Sequence, residues 1–214
     1  QRPRRRLWAL AGALLGGLVG LGASLLGGRP AIAPVLASPA GLYGAEVIER
    51  GRVLAALGNC VGCHTAEGGV PNAGGRPLAT PFGTVFATNL TPDAATGIGQ
   101  WSFSAFQRAM REGLSRDGRH LYPAFPYAAF SQVGDEDLTA LYAWLMAQPA
   151  VVNAVPETRL TFPFNLRPLL GLWNALFGRL DEPLAGLLEI LGYALPLEMH
   201  HADVVLGISV LGGR

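Results

Sequence analysis

The chain of 214 residues has two cysteines, and they stand three positions apart in Cys60-Val61-Gly62-Cys63, followed at once by His64. Cys-x-x-Cys-His is the pattern by which a polypeptide attaches haem covalently. The two thiols add across the vinyl groups of the porphyrin to give thioethers. The two intervening residues set the sulfurs at the separation of those vinyls. The next residue, His64, supplies an imidazole nitrogen to the iron. Other readings of the pair are weaker. A disulfide closing so small a loop stabilises little. A thioredoxin-like redox pair belongs in a βαβ context, which the flanking sequence lacks. A zinc site needs two further ligands, which would have to come from His120 or from the distant His200-His201 pair. One covalently attached haem c is therefore expected.

The elements that must position this motif are short helices and long loops. A helix is predicted over Ala45–Leu57, with Val47, Ile48, Leu54 and Leu57 near one face and Gly58 ending it just before the motif. From Glu67 to Gln100 the chain is rich in Gly, Pro, Thr and Asn without a period, which describes a long loop, and long ordered loops are usually functional. Ser102 or Ser104 can cap a helix to Glu112, with Phe103, Phe106 and Met110 on one face. Gly113–Phe130 reads as loop. Asp135 is placed to cap a cleaner helix with Leu138, Leu141, Tyr142 and Leu145 at i, i+3, i+4 and i+7, stopped by Pro149. Leu169–Phe177 and Leu184–Leu191 read as short apolar helices. No strand pattern of any strength is visible. The expected fold class is all-α, and its few short helices make a thin core that a buried haem would complete.

Half the residues are hydrophobic and 14% are charged, which fits a globular domain with a membrane-facing piece and excludes general disorder. The net charge of +1 conceals an asymmetry. There is no Lys, and five of the 16 Arg (Arg2, Arg4, Arg5, Arg6 and Arg29) flank one uncharged apolar run, Leu7–Gly28. From Ser38 onward, 11 Arg face 15 acidic residues, a balance of −4 that gives no reason to expect nucleic-acid binding. As a helix the 22-residue run would span about 33 Å, close to one hydrocarbon thickness. A cleaved signal peptide and a retained anchor both fit the basic start, and the length of the run favours the anchor. In either case the remainder is exported, with the basic end on the cytoplasmic side. The chain then divides into residues 1–29 as signal peptide or transmembrane anchor and 30–43 as a Pro/Ala-rich spacer. Residues 44–150 form the haem domain and 151–214 a C-terminal extension.

Beyond the motif, the stretches Glu49-Arg50-Gly51-Arg52, Gly58-Asn59 and Thr65, Ala73-Gly74-Gly75, Thr80-Pro81-Phe82-Gly83-Thr84 and Asn89-Leu90-Thr91-Pro92-Asp93 carry a family resemblance. It continues through Thr96-Gly97-Ile98-Gly99-Gln100-Trp101, Met110-Arg111-Glu112-Gly113, Leu121-Tyr122-Pro123-Ala124-Phe125-Pro126-Tyr127 and Leu141-Tyr142-Ala143-Trp144-Leu145, ending near Phe162-Pro163-Phe164-Asn165 and Leu172-Trp173-Asn174. Roughly residues 46–177 thus resemble the first haem domain of the cytochrome c subunits of membrane-bound periplasmic alcohol, gluconate and sorbitol dehydrogenases, and of molybdenum hydroxylases of the isoquinoline and nicotinate type. The resemblance implies a class I cytochrome c-like domain around one haem, preceded by an N-terminal hydrophobic helix. Beside the resemblance, Tyr122, Pro123 and Phe125 are expected to line the distal face, and Trp101, Arg108 and Arg119 are candidates to meet the haem propionates, the alternative for each Arg being a solvated side chain.

Two departures from the family pattern matter. The family's usual Met ligand in the Tyr-Pro-Ala-x-Pro-Tyr loop is replaced by Phe125, the form that resembles the molybdenum hydroxylase branch. A phenyl ring cannot ligate iron, so the sixth ligand is open among Met146, Met110 and His120, with water or a vacant position as further alternatives. Met110 and Met146 also fit helix core stripes, and His120 sits in a polar loop. Loss of a Met ligand would lower the haem potential. Family members also usually continue into two further haem domains, whereas this sequence contains one Cys-x-x-Cys-His, so it reads as a truncated or divergent member.

The expected role is an electron-transfer subunit rather than a catalytic one. It would relay electrons from a dehydrogenase, with the molybdenum hydroxylases as the class the Phe125 form points to, and pass them to quinone or another cytochrome at the periplasmic side of the bacterial inner membrane. The competing expectation is a haem-based module that binds or senses small ligands at an open sixth position.

Overall fold

The computed structural model describes residues 29–35 and 41–177, together with isolated positions 16, 17, 20 and 22. Among these residues the elements run α1 (Ala45–Leu57), α2 (Cys60–His64), β1 (Pro77–Thr80), β2 (Gly83–Phe86), α3 (Phe103–Glu112), α4 (Tyr127–Phe130), α5 (Asp135–Met146), β3 (Arg159–Leu160) and α6 (Pro168–Phe177). The helix expected over Leu184–Leu191 lies outside the described residues. So does the run Leu7–Gly28, save for the four isolated positions, which are helical. Among the described residues no helix is long and apolar enough to cross a membrane.

Helix α1 crosses α5 through its smallest residues. Gly51 and Ala55 are buried, and a Cβ at Gly51 would fall on the Ala140 carbonyl, so only glycine lets the two backbones approach this closely. The apolar face expected from Val47, Ile48, Leu54 and Leu57 is therefore corrected. Val47 and Leu57 are 36% and 42% exposed, because the contact is made by small side chains rather than large ones.

Helix α3 begins as expected. The Ser102 hydroxyl accepts the Ala105 N–H at 3.2 Å, and Ala105, Phe106, Ala109 and Met110 form the buried face. Helix α5 starts differently. Gly134, in extended backbone, precedes the first turn, and Asp135 lies within the helix and caps nothing. Its carboxylate is drawn instead to α3, where Gln107 Nε2 and Arg111 Nη2 donate to it at 2.8 and 2.7 Å. Asp137 pairs with Arg50 of α1 at 2.6 Å. The acidic first turn thus ties three helices together while sitting at the end that the helix dipole favours for negative charge.

These helices enclose one core of Ala55, Ile98, Phe106, Met110, Phe130, Leu138, Leu141, Tyr142, Leu145 and Met146. Tyr142 is its hub. Its ring meets Phe103 and Phe106 at 5.8 and 5.5 Å, and its hydroxyl donates to the Trp101 carbonyl at 2.7 Å.

The all-α expectation needs one correction. A three-stranded antiparallel sheet in the order β1-β2-β3 lies inside the stretch taken as loop and beyond it. Pro77 pairs with Phe86 and Thr80 with Gly83, so Pro81 and Phe82 form the hairpin turn, while β3 contributes only Arg159 and Leu160 from far along the chain. Strand β1 alternates between exposed and half-buried and β2 is half-buried throughout, but strands of four and two residues are too short for a period to stand out in the sequence. The short helix α4 likewise interrupts the loop expected over Gly113–Phe130.

The spacer after residue 29 is not free of the domain. Arg29 N–H donates to Gly118 O (3.2 Å), Ile32 N–H to Arg116 O (2.8 Å) and Val35 N–H to Gln100 O (3.0 Å). Arg108 clamps this strap by donating to the carbonyls of Pro30, Ser115 and Arg116 at 2.7, 2.6 and 3.0 Å.

Candidate haem site

Between α1 and α2 the chain turns at Asn59, whose left-handed φ of 51° redirects it into the motif. On the single turn of α2, Cys60 and Cys63 fall at i and i+3, on one side of the helix. The two are not joined in a disulfide. Cys60 is half-buried against the core and Cys63 is exposed. Burial pushes the Cys60 thiol up to about 11, with its own backbone hydrogen bond opposing and nearby Cys63 adding to the rise. A redox Cys-x-x-Cys works through a thiolate of lowered pKa, the reverse of this environment.

His64 closes the helix. Its Nδ1 lies 2.7 Å from the Thr88 carbonyl oxygen. A carbonyl can only accept, so Nδ1 carries the proton and Nε2 keeps its lone pair for a metal. Burial lowers the imidazole pKa and the Thr88 hydrogen bond partly offsets this, favouring the neutral form that ligates. The sequence offered no sign of Thr88 itself. The only available signal was the length of the ordered loop in which it sits.

Two contacts brace the site from behind. The Gly74 N–H donates to the His64 carbonyl at 2.7 Å. Gly74 has φ 78°, and a Cβ there would stand 2.6 Å from both Thr88 C and Asn89 N, so the loop after the motif lies directly on the Thr88–Asn89 peptide.

Three of the predicted residues share one core. Cys60, Trp101 and Phe125 all pack, partly buried, against the same core, as does Leu90, two residues after Thr88. Phe125 stacks on Phe130 with centroids 5.4 Å apart, and Phe130 Cε1 would lie 3.3 Å from a Cβ at Gly58, linking the Tyr122–Tyr127 loop to the approach to the motif. Tyr122 is half-buried beneath the Arg167 guanidinium, 4.5 Å from its ring, and Pro123 is exposed.

Two of the three ligand candidates share the core against which Cys60 and Phe125 pack. Met110 and Met146 lie within the core, 7% and 6% exposed. His120 pairs in an isolated bridge with Leu114, and burial followed by Arg29 holds its imidazole below the ordinary range. Of the arginines expected near the propionates, Arg108 is engaged with three carbonyls of the strap and its docking loop, and Arg119 pairs with Asp117 at 2.6 Å. Trp101 and Arg119 share a cavity of about 170 Å³ with Ser115, Arg116 and Asp117.

These residues fit a covalent haem. Two cysteine thiols share one turn, an adjacent imidazole offers Nε2, and Leu90, Trp101 and Phe125 present incompletely buried apolar surface on the adjoining core. Among the described residues no three His, Cys, Asp or Glu side chains gather as a metal site, so zinc lacks its ligands there.

Residues 48–149 match the cytochrome c family. This segment is a cytochrome c domain. Cytochrome c domains carry covalently bound haem c, and Cys60, Cys63 and His64 make up the Cys-x-x-Cys-His motif of this one. The chain is 53% identical over 176 residues to a nicotinate dehydrogenase subunit of Pseudomonas putida, a match covering 81% of this chain and 15% of that protein. It is 46% identical over 132 residues to the gluconate 2-dehydrogenase cytochrome c subunit of Pantoea cypripedii, covering 61% of this chain and 30% of the relative. A dihaem cytochrome c-type protein of Cereibacter sphaeroides is 37% identical over 153 residues, covering 68% and 51%. The chain thus spans less than a third of the length of these two dehydrogenase subunits.

Proposed function

We propose that the cytochrome c domain is an electron-transfer module of a dehydrogenase complex, accepting electrons from a catalytic subunit and passing them to quinone or to another cytochrome. The observation that carries this reading is the conjunction of Cys60, Cys63 and a tautomer-fixed His64 on α2. The relatives support it, being named as subunits of nicotinate and gluconate dehydrogenases or as a dihaem cytochrome. None of these names carries a sensing role, so small-ligand sensing is not favoured. The match to the nicotinate enzyme, together with Phe125, favours a partner of the molybdenum hydroxylase class. The basic flanks and length of Leu7–Gly28 support placement at the periplasmic side of the inner membrane, exported or anchored.

When bound, the haem supplies a one-electron Fe(III)/Fe(II) couple. The chain's own residues do the rest. Cys60 and Cys63 fix the porphyrin to α2, and His64 gives Nε2 to the iron while the Thr88 carbonyl holds Nδ1–H. Leu90, Trp101 and Phe125 exclude water from the apolar face.

The Cys60→Ala/Cys63→Ala chain should show no covalent haem stain on a denaturing gel. Retained stain would defeat the assignment. The wild-type holoprotein, mixed with the co-purified catalytic subunit and its substrate, should become reduced and should remain unaffected by carbon monoxide. A high-spin iron that takes carbon monoxide readily and accepts no electrons from the dehydrogenase would overturn the carrier role.

A further inference from the structure

We propose that Asn89 is a positioning residue for the proximal ligand. Its side chain locks the Thr88 carbonyl against His64 Nδ1, and thereby sets the electron-donating strength of the imidazole toward the iron. The inference rests on the haem assignment at Cys60, Cys63 and His64, which the stain experiment tests separately.

Asn89 is 2% exposed, yet its amide is fully satisfied. Nδ2 donates to Val151 O at 2.8 Å and to Thr96 Oγ1 at 3.0 Å, while Oδ1 accepts from Thr91 N–H at 2.9 Å and from the Thr91 hydroxyl at 2.7 Å. The partners fix which end is which. Val151 O can only accept and Thr91 N–H can only donate, so the reversed amide would lose both bonds. The network extends outward. Thr96 Oγ1 also donates to Asp93 Oδ1 at 2.7 Å and accepts Asn153 N–H at 3.0 Å, and Asn153 Nδ2 returns to the Ala73 carbonyl at 2.8 Å. The Thr88–Asn89 peptide is thus held between two bodies. On one side stand His64 Nδ1 and the loop through Ala73 and Gly74, and on the other the 91–96 turn and the 151–153 segment, joined by Asn89. No bond of the Asn89 side chain touches His64. It acts through the carbonyl that precedes it.

The chemical consequence follows from the second bond of a metal-bound imidazole. A carbonyl on Nδ1–H fixes the ring and raises the basicity of Nε2. A more basic ligand favours the ferric state and lowers the potential. Releasing the Thr88 carbonyl should do the opposite. A core polar residue that served folding alone would leave the couple unmoved.

The test uses the full haem-loaded chain and two readouts, the midpoint potential and the solvent exchange of the His64 Nδ1 proton in the NMR spectrum of the ferrous protein. Asn89→Ala should raise the potential, a tenfold loss of ferric preference reading as about 59 mV for a one-electron couple. It should also speed exchange at least tenfold. Thr96→Val, which removes the hydroxyl at constant shape, should move both readouts the same way by less, and Thr96→Ser should restore them. Gly51→Ala, destabilised at the distant α1–α5 crossing, should leave both at wild-type values and so separates lost stability from lost positioning. Wild-type potential and exchange in Asn89→Ala and Thr96→Val would overturn the proposal. Should Asn89→Ala fail to accumulate, the Thr96→Val and Thr96→Ser pair decides by the same two readouts.

Discussion

The Asp93 carboxylate closes a tight turn. Thr96 donates to it twice, through its hydroxyl at 2.7 Å and its N–H at 2.6 Å, and Ala95 N–H does so at 3.1 Å. The Thr96 hydroxyl and then its N–H hold this carboxyl below the ordinary range, with burial opposing and the N–H groups of Ala95 and Gly97 adding. A carboxyl lowered in the folded state stabilises the fold above the unfolded pKa of about 3.9, and that contribution is lost as pH falls through the lower folded value. Asp93→Asn should therefore flatten the acid limb of melting temperature against pH below about pH 4, as differential scanning fluorimetry would show. A second prediction concerns the sulfur atoms. Met110 and Met146 are almost fully enclosed by protein, which suits core packing rather than a haem face. Met110→Leu and Met146→Leu should each cost less than about 1.5 kcal/mol, as volume-conserving swaps do. Both should leave the visible spectrum of the holoprotein unchanged, and a lost low-spin band in either would identify the sixth ligand. At this scale Cys60, Cys63 and His64 stood out because they lie within five consecutive residues. Thr88 did not, because it acts through a backbone carbonyl, a group every residue type carries.

Between elements, the contact that matters most is the crossing of α1 and α5. Gly51→Ala would drive a methyl group into the Ala140 carbonyl and the Trp144 Cβ, both parts of a packed helix. Overpacking of this kind costs about 1–3 kcal/mol or more, which urea denaturation of the variant would measure. The helices were legible where period and turn residues agreed. Leu138, Leu141, Tyr142 and Leu145 marked α5, and Ser102 marked the start of α3. The face of α1 misled, because Gly and Ala carry no hydropathic signal although they make the closest approach. Asp135 misled for a different reason. A carboxylate at a helix start can serve as cap or as partner, and Arg111 and Gln107, 24 and 28 residues away, decided between the two. The sheet was invisible because its third strand is two residues contributed from beyond the core helices.

For the whole molecule, the strap of Arg29–Val35 fastens the first continuous stretch of the described residues to the domain. Arg108→Ala should remove its clamp from Pro30, Ser115 and Arg116, and hydrogen exchange should quicken at the N–H groups of Arg29 and Ile32 while α5 retains its protection. Equal acceleration in α5 would show that Arg108 supports the entire fold. The Pro and Ala content of residues 30–43 reads as a spacer, yet the backbone N–H groups of Ile32 and Val35 and the guanidiniums of Arg108 and Arg116 bind the first part of it to the domain. A loose linker would let a membrane-held domain wander through a hemisphere as wide as its tether and present its surface at every angle. Were Leu7–Gly28 retained as an anchor, one of the two placements proposed, the stitched strap would remove that slack. The domain would ride at one bearing, like a boat moored at bow and stern, and an approaching redox partner would meet it without a rotational search.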